Sequence, residues 1–400
     1  MPNTILTPTA VTREALRVLH QKCNFIGSIN RAYDSSFANE GAKIGDSLKI
    51  RLPNEYTVRN TMTMATQDTV EQSTTLQVAN VAGVDVSFTS QDLTLSLDDF
   101  SARIIDPAIS VIAAKLESDA LSMYKDVYNI VDQDTLAFGY GTMQSGREKL
   151  TNSLAMLPGR AAVLKPSHAT GFMNDTKALF HSDENLEKQF RDGVIGRVAG
   201  FQNIYENTIV SDHQTGTADK TTGYVVNGAV TTNGSTSVTV ATGTTTFNTG
   251  DIFTVAGCFR VHPETKVSTG VLQQFVVTAD YAGGAGNISF SPAIYTSTGR
   301  QNVTAGGMPT GNALVKVGAG ASELLNSSMA YHKNAFTFAT ADLLLPKGVD
   351  FAAREVMDGI SMSIVRDFAI NDRSFPCRID VLYGYKTIRP QLATRLHADG

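Results

Sequence analysis

Between Asp106 and Asn129 the apolar side chains return every three or four residues, at Ile109, Ile112, Ala113, Leu116, Ala120, Met123 and Val127. Such spacing gathers them on one face of an α-helix and turns Lys115, Glu117, Ser118 and Lys125 largely to the other. Asp106-Pro107 marks the start, since proline at the first helical position gives up only an N–H that has no partner there. The pattern predicts a helix from Pro107 to Asn129, about 34 Å long at about 1.5 Å per residue. A rod of that length is expected to be the support for the rest of the chain.

Upstream, Val11, Ala15, Leu16, Val18 and Leu19 give a short amphipathic helix over Val11–His20, and Asn24 to Phe37 reads as irregular chain. From Ile44 to Phe88 the period changes to two. Leu48, Ile50 and Leu52 alternate with Lys49 and Arg51, and Val84, Val86 and Phe88 with Asp85 and Ser87. These runs predict the base of a long β-hairpin that packs on its own body. The distal part, Arg59 to Thr75, has only Met62, Met64 and Val70 as sizeable apolar side chains. A two-stranded ribbon is marginal in water, so this tip is expected to rest on something beyond the hairpin, such as another subunit. Arg59, Met62, Met64, Val70 and Glu71 are its candidate contact residues. A surface excursion over its own domain is the plainer alternative.

Downstream, Thr142–Leu157 carries Met143, Leu150 and Leu154 at helical spacing, Ala161–Leu164 reads as a buried strand, and Ala169–Phe180 as another helix. Ser182, Asp183 and Glu184 cap a short helix reaching Phe190, with acids where the helix dipole favours them. Gly193, Gly196 and Gly200 then punctuate Arg191–Val210 as turns between strands. At about Thr222 the composition shifts. Residues 222–332 hold 16 of the 33 glycines and 18 threonines but only eight charged side chains. Short β-branched runs at Ser237–Val240, Ile252–Val255, Phe275–Thr278, Ile288–Phe290 and Leu314–Val317 alternate with turns, the pattern of a small all-β barrel or sandwich. Mixed character resumes near Ala330, and Gly359–Ile370 and Cys377–Lys386 read as a long antiparallel pair. The host fold is therefore split by a β insertion.

Composition narrows the function. Four hundred residues, 42% apolar and 18% charged, fit a globular chain of two or three domains. A net charge of −5 gives no electrostatic reason for tight binding to nucleic acid or to an anionic membrane. Cys23, Cys258 and Cys377 are too scattered for a disulfide framework or a zinc site, which suits a reducing compartment. The N-terminal stretch lacks a signal-peptide pattern, and no apolar run approaches membrane-spanning length. Catalytic signatures are also missing. The G-x-G triplets at Gly139, Gly284 and Gly318 are followed by Gln144, Ser289 and Glu323 where a dinucleotide fingerprint needs glycine. No phosphate loop, nucleophile elbow or H-E-x-x-H helix occurs, and the seven histidines are scattered without ligand spacing. Asp98/Asp99 and Asp183/Glu184 read as helix-start acids rather than acid/base pairs. No catalytic residue, cofactor site or metal site is expected.

Several blocks resemble a known family. Gly41–Pro53 (GAKIGDSLKIRLP), Asp106–Ala108 at the start of the long helix, Arg191–Phe201 (RDGVIGRVAGF) and Cys377–Pro390 (CRIDVLYGYKTIRP) resemble, in order, the major coat proteins of P22-type tailed phages. Asn248–Lys266 (NTGDIFTVAGCFRVHPETK) is similar to their inserted domain. The resemblance implies an α+β chain with the HK97-like capsid fold. Its parts would be an N-terminal arm (1–37), an E-loop (38–91), a peripheral domain with a spine helix (92–131 and 353–400), an axial domain (132–221 and 333–352) and an inserted β-domain (222–332). It implies a structural protein, not an enzyme, that assembles with copies of itself as pentamers and hexamers around packaged double-stranded DNA. A scaffolding protein, a portal ring and maturation by subunit reorientation would accompany it, with assembly in the host cytoplasm and residence in the virion capsid. An encapsulin-like compartment and, further off, an enzyme on a split α/β fold are the alternatives.

Overall fold

The computed structural model describes residues 23–31, 46–64, 66–69, 71–88, 106–176, 197–318, 320–343, 345–349, 351–357, 360–368 and 375–399. The expected helices Val11–His20 and Ser182–Phe190, the Asp98/Asp99 and Asp183/Glu184 pairs, and Val70 lie outside them. The chain forms two compact units of mixed helix and sheet, each assembled from three separated stretches. One comprises Met1–Arg51, Ser73–Leu121 and Phe336–Ile388, the other Leu52–Gln72, Ser122–Ala335 and Arg389–Gly400.

The first unit is organised by a strand of 13 residues, Phe375–Thr387. Along one edge it pairs antiparallel with Asn80–Phe88, from Phe375 opposite Phe88 to Tyr383 opposite Asn80. Its other edge is shared, with Ile360–Arg366 over Cys377–Asp380 and Phe336–Ala341 over Leu382–Thr387. Phe351–Met357 adds beyond Ile360–Arg366. The antiparallel pair expected around Cys377–Lys386 is thus present and central. Every residue from Ile379 to Gly384 is buried, so both faces are covered here and the alternation fades, as in any strand packed on both sides. A Cβ on Gly384 would sit 2.1 Å from the Gln77 carbonyl oxygen. Only glycine admits that close backbone approach.

The long helix runs Asp106–Leu121 and tightens into a 3-10 helix over Ser122–Asp126, ending before the expected Asn129. Tightening of a last turn is common, and here it turns both Met123 and Tyr124 inward. Ile109, Ile112, Ala113, Leu116 and Ala120 are buried as the pattern predicts. Lys115 is exposed and reaches Asp119 at 2.8 Å, one turn along. Glu117 departs from the expected wet face. It is fully buried, where its carboxylate accepts the Phe25 N–H at 2.8 Å and the Ile26 N–H at 3.3 Å. Those donors open a short helix, Asn24–Ser28, in chain that reads as irregular from sequence. First-turn N–H groups have no intrahelical acceptor. Glu117 supplies one from 91 residues away.

The hairpin also differs from its sequence pattern. Asp46–Leu52 pairs with Gln72–Val78, not with the Val84–Phe88 run, which belongs to the central sheet. The return strand begins within the stretch read as tip because Gln72 and Thr74 take the inward positions ahead of Leu76 and Val78, while Ser73, Thr75 and Gln77 face outward. The base rests on its own body. Ile50, Leu76 and Val78 pack with Ala339, Ala341 and Leu382.

The second unit contains a five-stranded sheet in the order Ile130–Ala137, Ala393–Asp399, Ser327–His332, Arg160–Leu164, Asn203–Glu206. Its outer pairs are parallel and its middle pairs antiparallel. Arg160–Leu164 is buried throughout, as expected for Ala161–Leu164. Helices Tyr140–Asn152 and Pro166–Thr176 accompany it. His168 stacks on Phe138 at 4.6 Å and lies 2.7 Å from the Ser328 hydroxyl and 3.2 Å from the Ala398 carbonyl. Burial pushes its pKa down to about 4, so it is a neutral core residue.

Within the same unit, six strands run in the order Leu314–Lys316, Ile252–Val261, Ser268–Val277, Gly286–Ile294, Ser235–Ala241, Val225–Val226. The two ends meet. Val225 bridges Ala313, Val226 N–H donates to the Asn312 carbonyl at 3.0 Å, and Leu314 N–H donates to the Tyr224 carbonyl at 3.0 Å. Closing a sheet on itself removes its free edges. Inside, Phe253 and Phe275 each meet Phe290 edge-on, at 6.1 and 5.0 Å. Each predicted run falls on one of these strands.

Glu117 makes stability depend on pH. Burial raises its pKa from 4.5 to about 7, with the N–H donors of Phe25, Ile26 and Asn24 opposing the shift. Between those values the folded chain holds a proton that the unfolded chain has lost, so this contribution falls as pH rises from 4.5 to 7. The loss is on the order of 3 kcal/mol. Urea unfolding of Glu117→Gln across that range is expected to show a flatter pH dependence than the unsubstituted chain. Parallel curves would contradict the assignment.

Candidate inter-subunit surface

Between the paired strands of the hairpin, no helix or strand occurs from Pro53 to Glu71 among the described residues. Side chains close this tip where a backbone ladder is missing. Gln67 Oε1 accepts the Thr57 N–H at 2.9 Å and its hydroxyl at 3.0 Å, while Gln67 Nε2 donates to the Thr57 carbonyl at 2.6 Å. Tyr56 and Thr69 hydroxyls lie 3.3 Å apart. Farther out, Arg59 Nη1 donates to the Met62 carbonyl at 3.0 Å. At its root, the Glu55 carbonyl oxygen would lie 2.3 Å from a Cβ on Gly299. The glycine lets the tip approach a turn of the closed sheet.

The apolar side chains of the tip face solvent. Met62 is 101% exposed, Val58 86%, Met64 77% and Tyr56 54%. Arg59, Met62, Met64 and Glu71, named from sequence, all lie on this exposed segment. Tyr56 and Val58 belong to the same surface and lie outside the tip that the sequence pattern bounds at Arg59. Their signal was present, as two more apolar residues at period two beyond Leu52 with nothing in the base to pair with.

The arrangement most like a catalytic constellation lies elsewhere in the second unit. The Tyr124 hydroxyl is 3.4 Å from His213 Nδ1, and His213 Nε2 is 2.8 Å from Asp251 Oδ1. Asp251 Oδ2 accepts the Asn248 and Gly216 N–H groups at 2.8 and 3.0 Å. Arg395 Nη1 donates to the Gly250 carbonyl at 2.7 Å, and its guanidinium lies 5.3 Å over the Tyr124 ring. Burial lowers the His213 pKa despite Asp251, raises that of Tyr124, and brings Arg395 down to about 10. Neutral His213 satisfies this geometry by accepting from Tyr124 and donating to Asp251. All four side chains are buried, and their polar atoms find partners in one another or in nearby backbone, save Arg395 Nε. Sequence spacing gave no sign of it. Among the described residues no group of three or more His, Cys, Asp or Glu side chains is placed to hold a metal ion.

The family profile described as "P22 coat protein - gene protein 5" matches residues 8–395. The chain belongs to the P22 coat protein family. It is a capsid shell protein of the phage coat class, its partners in the shell are further copies of itself, and its place is the virion capsid. No curated protein matches the chain. Solved structures it resembles include Mycobacterium phage Che8, at 11% identity and TM-score 0.47 over 92% of this chain and 88% of that one. Another is the mature capsid asymmetric unit of bacteriophage PhiM1, at 11% identity and TM-score 0.42 over 88% and 81%. A virus-like particle from Pyrococcus furiosus matches at 8% identity and TM-score 0.37 over 96% of both chains.

The Gln67 clasp carries a local prediction. Gln67→Leu removes its amide bonds to Thr57 while leaving the base core untouched. A net loss of about 1 kcal/mol would speed opening of the tip roughly fivefold. Limited trypsin digestion is expected to cut after Arg59 faster by that factor, with an unchanged melting temperature. Cleavage at the original rate would show that the clasp does not order the tip.

Proposed function

We propose that this chain is the major capsid protein of a tailed phage, whose copies close into an icosahedral shell around packaged double-stranded DNA. The observation that carries the reading is the tip between Leu52 and Gln72. It exposes Tyr56, Val58, Met62 and Met64 and has no ladder among its described residues, in a chain of the coat protein family. Extended devices of this kind reach a neighbouring subunit without a large flat apolar patch on the body. Many modest contacts repeated around a closed lattice then add up to a stable shell.

On this reading the fold is HK97-like, with residues 1–37 as N-terminal arm, 38–91 as E-loop, and 92–131 with 353–400 as the peripheral domain carrying the spine helix. Residues 132–221 with 333–352 form the axial domain, and 222–332 the inserted barrel. The closed six-stranded sheet and the helix Asp106–Leu121 support it. Arg59, Met62, Met64, Val70 and Glu71 are the proposed contact residues, joined by Tyr56 and Val58. Pentamers and hexamers, a scaffolding protein, a portal ring and assembly in the host cytoplasm complete the proposal. A net charge of −5 suits a container that encloses DNA without sequence-specific binding.

Electron microscopy of the expressed chain, with and without a scaffolding protein, tests the reading directly, with closed shells expected. Replacing residues 55–70 with a short Gly/Ser turn keeps both base strands. The variant is expected to melt at the same temperature and to remain as free subunits on a sedimentation gradient. Normal shells from the variant would show that the tip is not an inter-subunit device. Particles that never contain DNA in infected cells would contradict its role as container.

A further inference from the structure

The loop after helix Tyr140–Asn152 combines two properties that rarely occur together. Leu154, Met156 and Leu157 are 42%, 73% and 58% exposed, three large apolar side chains within four positions. Yet the loop is clamped from below. Arg160, 2% exposed, donates from Nε to the Met156 carbonyl at 3.1 Å, from Nη2 to the Ala155 carbonyl at 2.5 Å, and from Nη1 to the Thr151 hydroxyl at 3.1 Å. His332 Nε2 is 3.0 Å from the Pro158 carbonyl, and the Gly159 N–H donates to Gln202 Oε1 at 2.8 Å. Arg260 Nη2 donates to the Asn152 carbonyl and the Ser153 hydroxyl at 3.2 and 3.0 Å.

Leu154 also sits at φ +59°, a left-handed conformation that bulky residues rarely adopt. Strain of this kind persists only where the surroundings impose it, and it gathers at functional sites. Glycine or asparagine would turn the chain here with less strain, and polar side chains would solvate the loop. A fully buried arginine is instead spent holding leucine and methionine outward. Prearranging side chains lowers the entropy lost when a partner covers them.

We propose that the loop 153–158 is a preformed apolar knob that docks on a second copy of this chain in the assembled shell, separately from the hairpin tip. The inference rests on the shell reading above. A second copy is the occupant because the chain belongs to a coat protein family and is surrounded in a shell by further copies of itself, while faces turned to water or to DNA gain nothing from three exposed apolar side chains. The cationic groups at its base, Arg160 and Arg260, are already taken up by loop carbonyls and hydroxyls, so the knob offers a partner hydrophobic contact rather than charge.

Thiol labelling gives a readout independent of folding failures. Cys23, Cys258 and Cys377 are buried, and burial pushes all three thiols up, so the native cysteines react slowly. In the full chain, Met156→Cys should react quickly with N-ethylmaleimide as free subunits. In shells of the same variant it should react at least about tenfold more slowly, as a side chain in a desolvated interface is withheld from reagent. Equal rates in subunits and shells would overturn the proposal while leaving the shell reading intact. Absence of shells from the unsubstituted chain would instead sink the shell reading. Protection that appears only on adding a scaffolding protein to free subunits would also overturn it, by naming another occupant. As a second measurement, Met156→Ser with Leu157→Ser should keep the melting temperature and lower shell yield by about tenfold, the fate of a truncated interface anchor. Unchanged yield would count against the knob.

Discussion

Backbone pairing along Phe375–Thr387 is the constraint on which the first unit depends. One strand of 13 residues is engaged on both edges, by chain from nearly 300 residues upstream and by two strands just before it. Its register fixes Asn80–Phe88, and the long helix Asp106–Leu121 packs against that strand. The helix in turn presents Glu117, whose carboxylate holds the first turn of Asn24–Ser28. The same strand supplies Leu382 to the core under the hairpin base. Fold, N-terminal segment and hairpin thus follow from one ladder, and a slip by one residue would turn every buried side chain of that strand to the wrong face.

Much of this was legible because periodicity reports burial. The apolar face of the long helix and the strands of the closed sheet follow the spacing of their apolar residues, while Arg160–Leu164 and the pair around Cys377–Lys386, covered on both faces, are marked by the density of theirs. What escaped was polar. Glu117 occupies a position where the helical pattern predicts water, and the distant N–H groups of Phe25, Ile26 and Asn24 explain its burial. The Gln72–Val78 strand was hidden because its threonines and glutamines look like tip. The Tyr124–His213–Asp251–Arg395 network joins residues separated by up to 271 positions, a relation that no local pattern encodes. Of the candidate surface, its place and Met62, Met64 and Arg59 could be read from sequence. Tyr56 and Val58 could have been, had the alternation been followed past Leu52.

Among the exposed apolar side chains of the described residues, those of two segments bear on assembly. One is an extended tip held by a few side-chain contacts, the Gln67 clasp chief among them, the other a short loop clamped by a buried arginine. The first is adaptable because side chains rather than a ladder hold it. The second is rigid because two guanidinium donors of Arg160 fix its carbonyls and a third ties it to the Thr151 hydroxyl at the end of the helix. A coat subunit has use for both kinds of contact, since a closed shell needs surfaces that adjust between neighbours and surfaces that set the spacing.

The central claim is that the hairpin tip becomes ordered against other copies. Hydrogen exchange followed by mass spectrometry, comparing peptides within 53–71 in free subunits and in assembled shells, tests it most directly. Tip amides without a ladder should exchange almost unprotected in the subunit and slow by about a hundredfold or more in the shell, as a segment does when drawn into a cooperative structure. Equal exchange in the two states would contradict the claim.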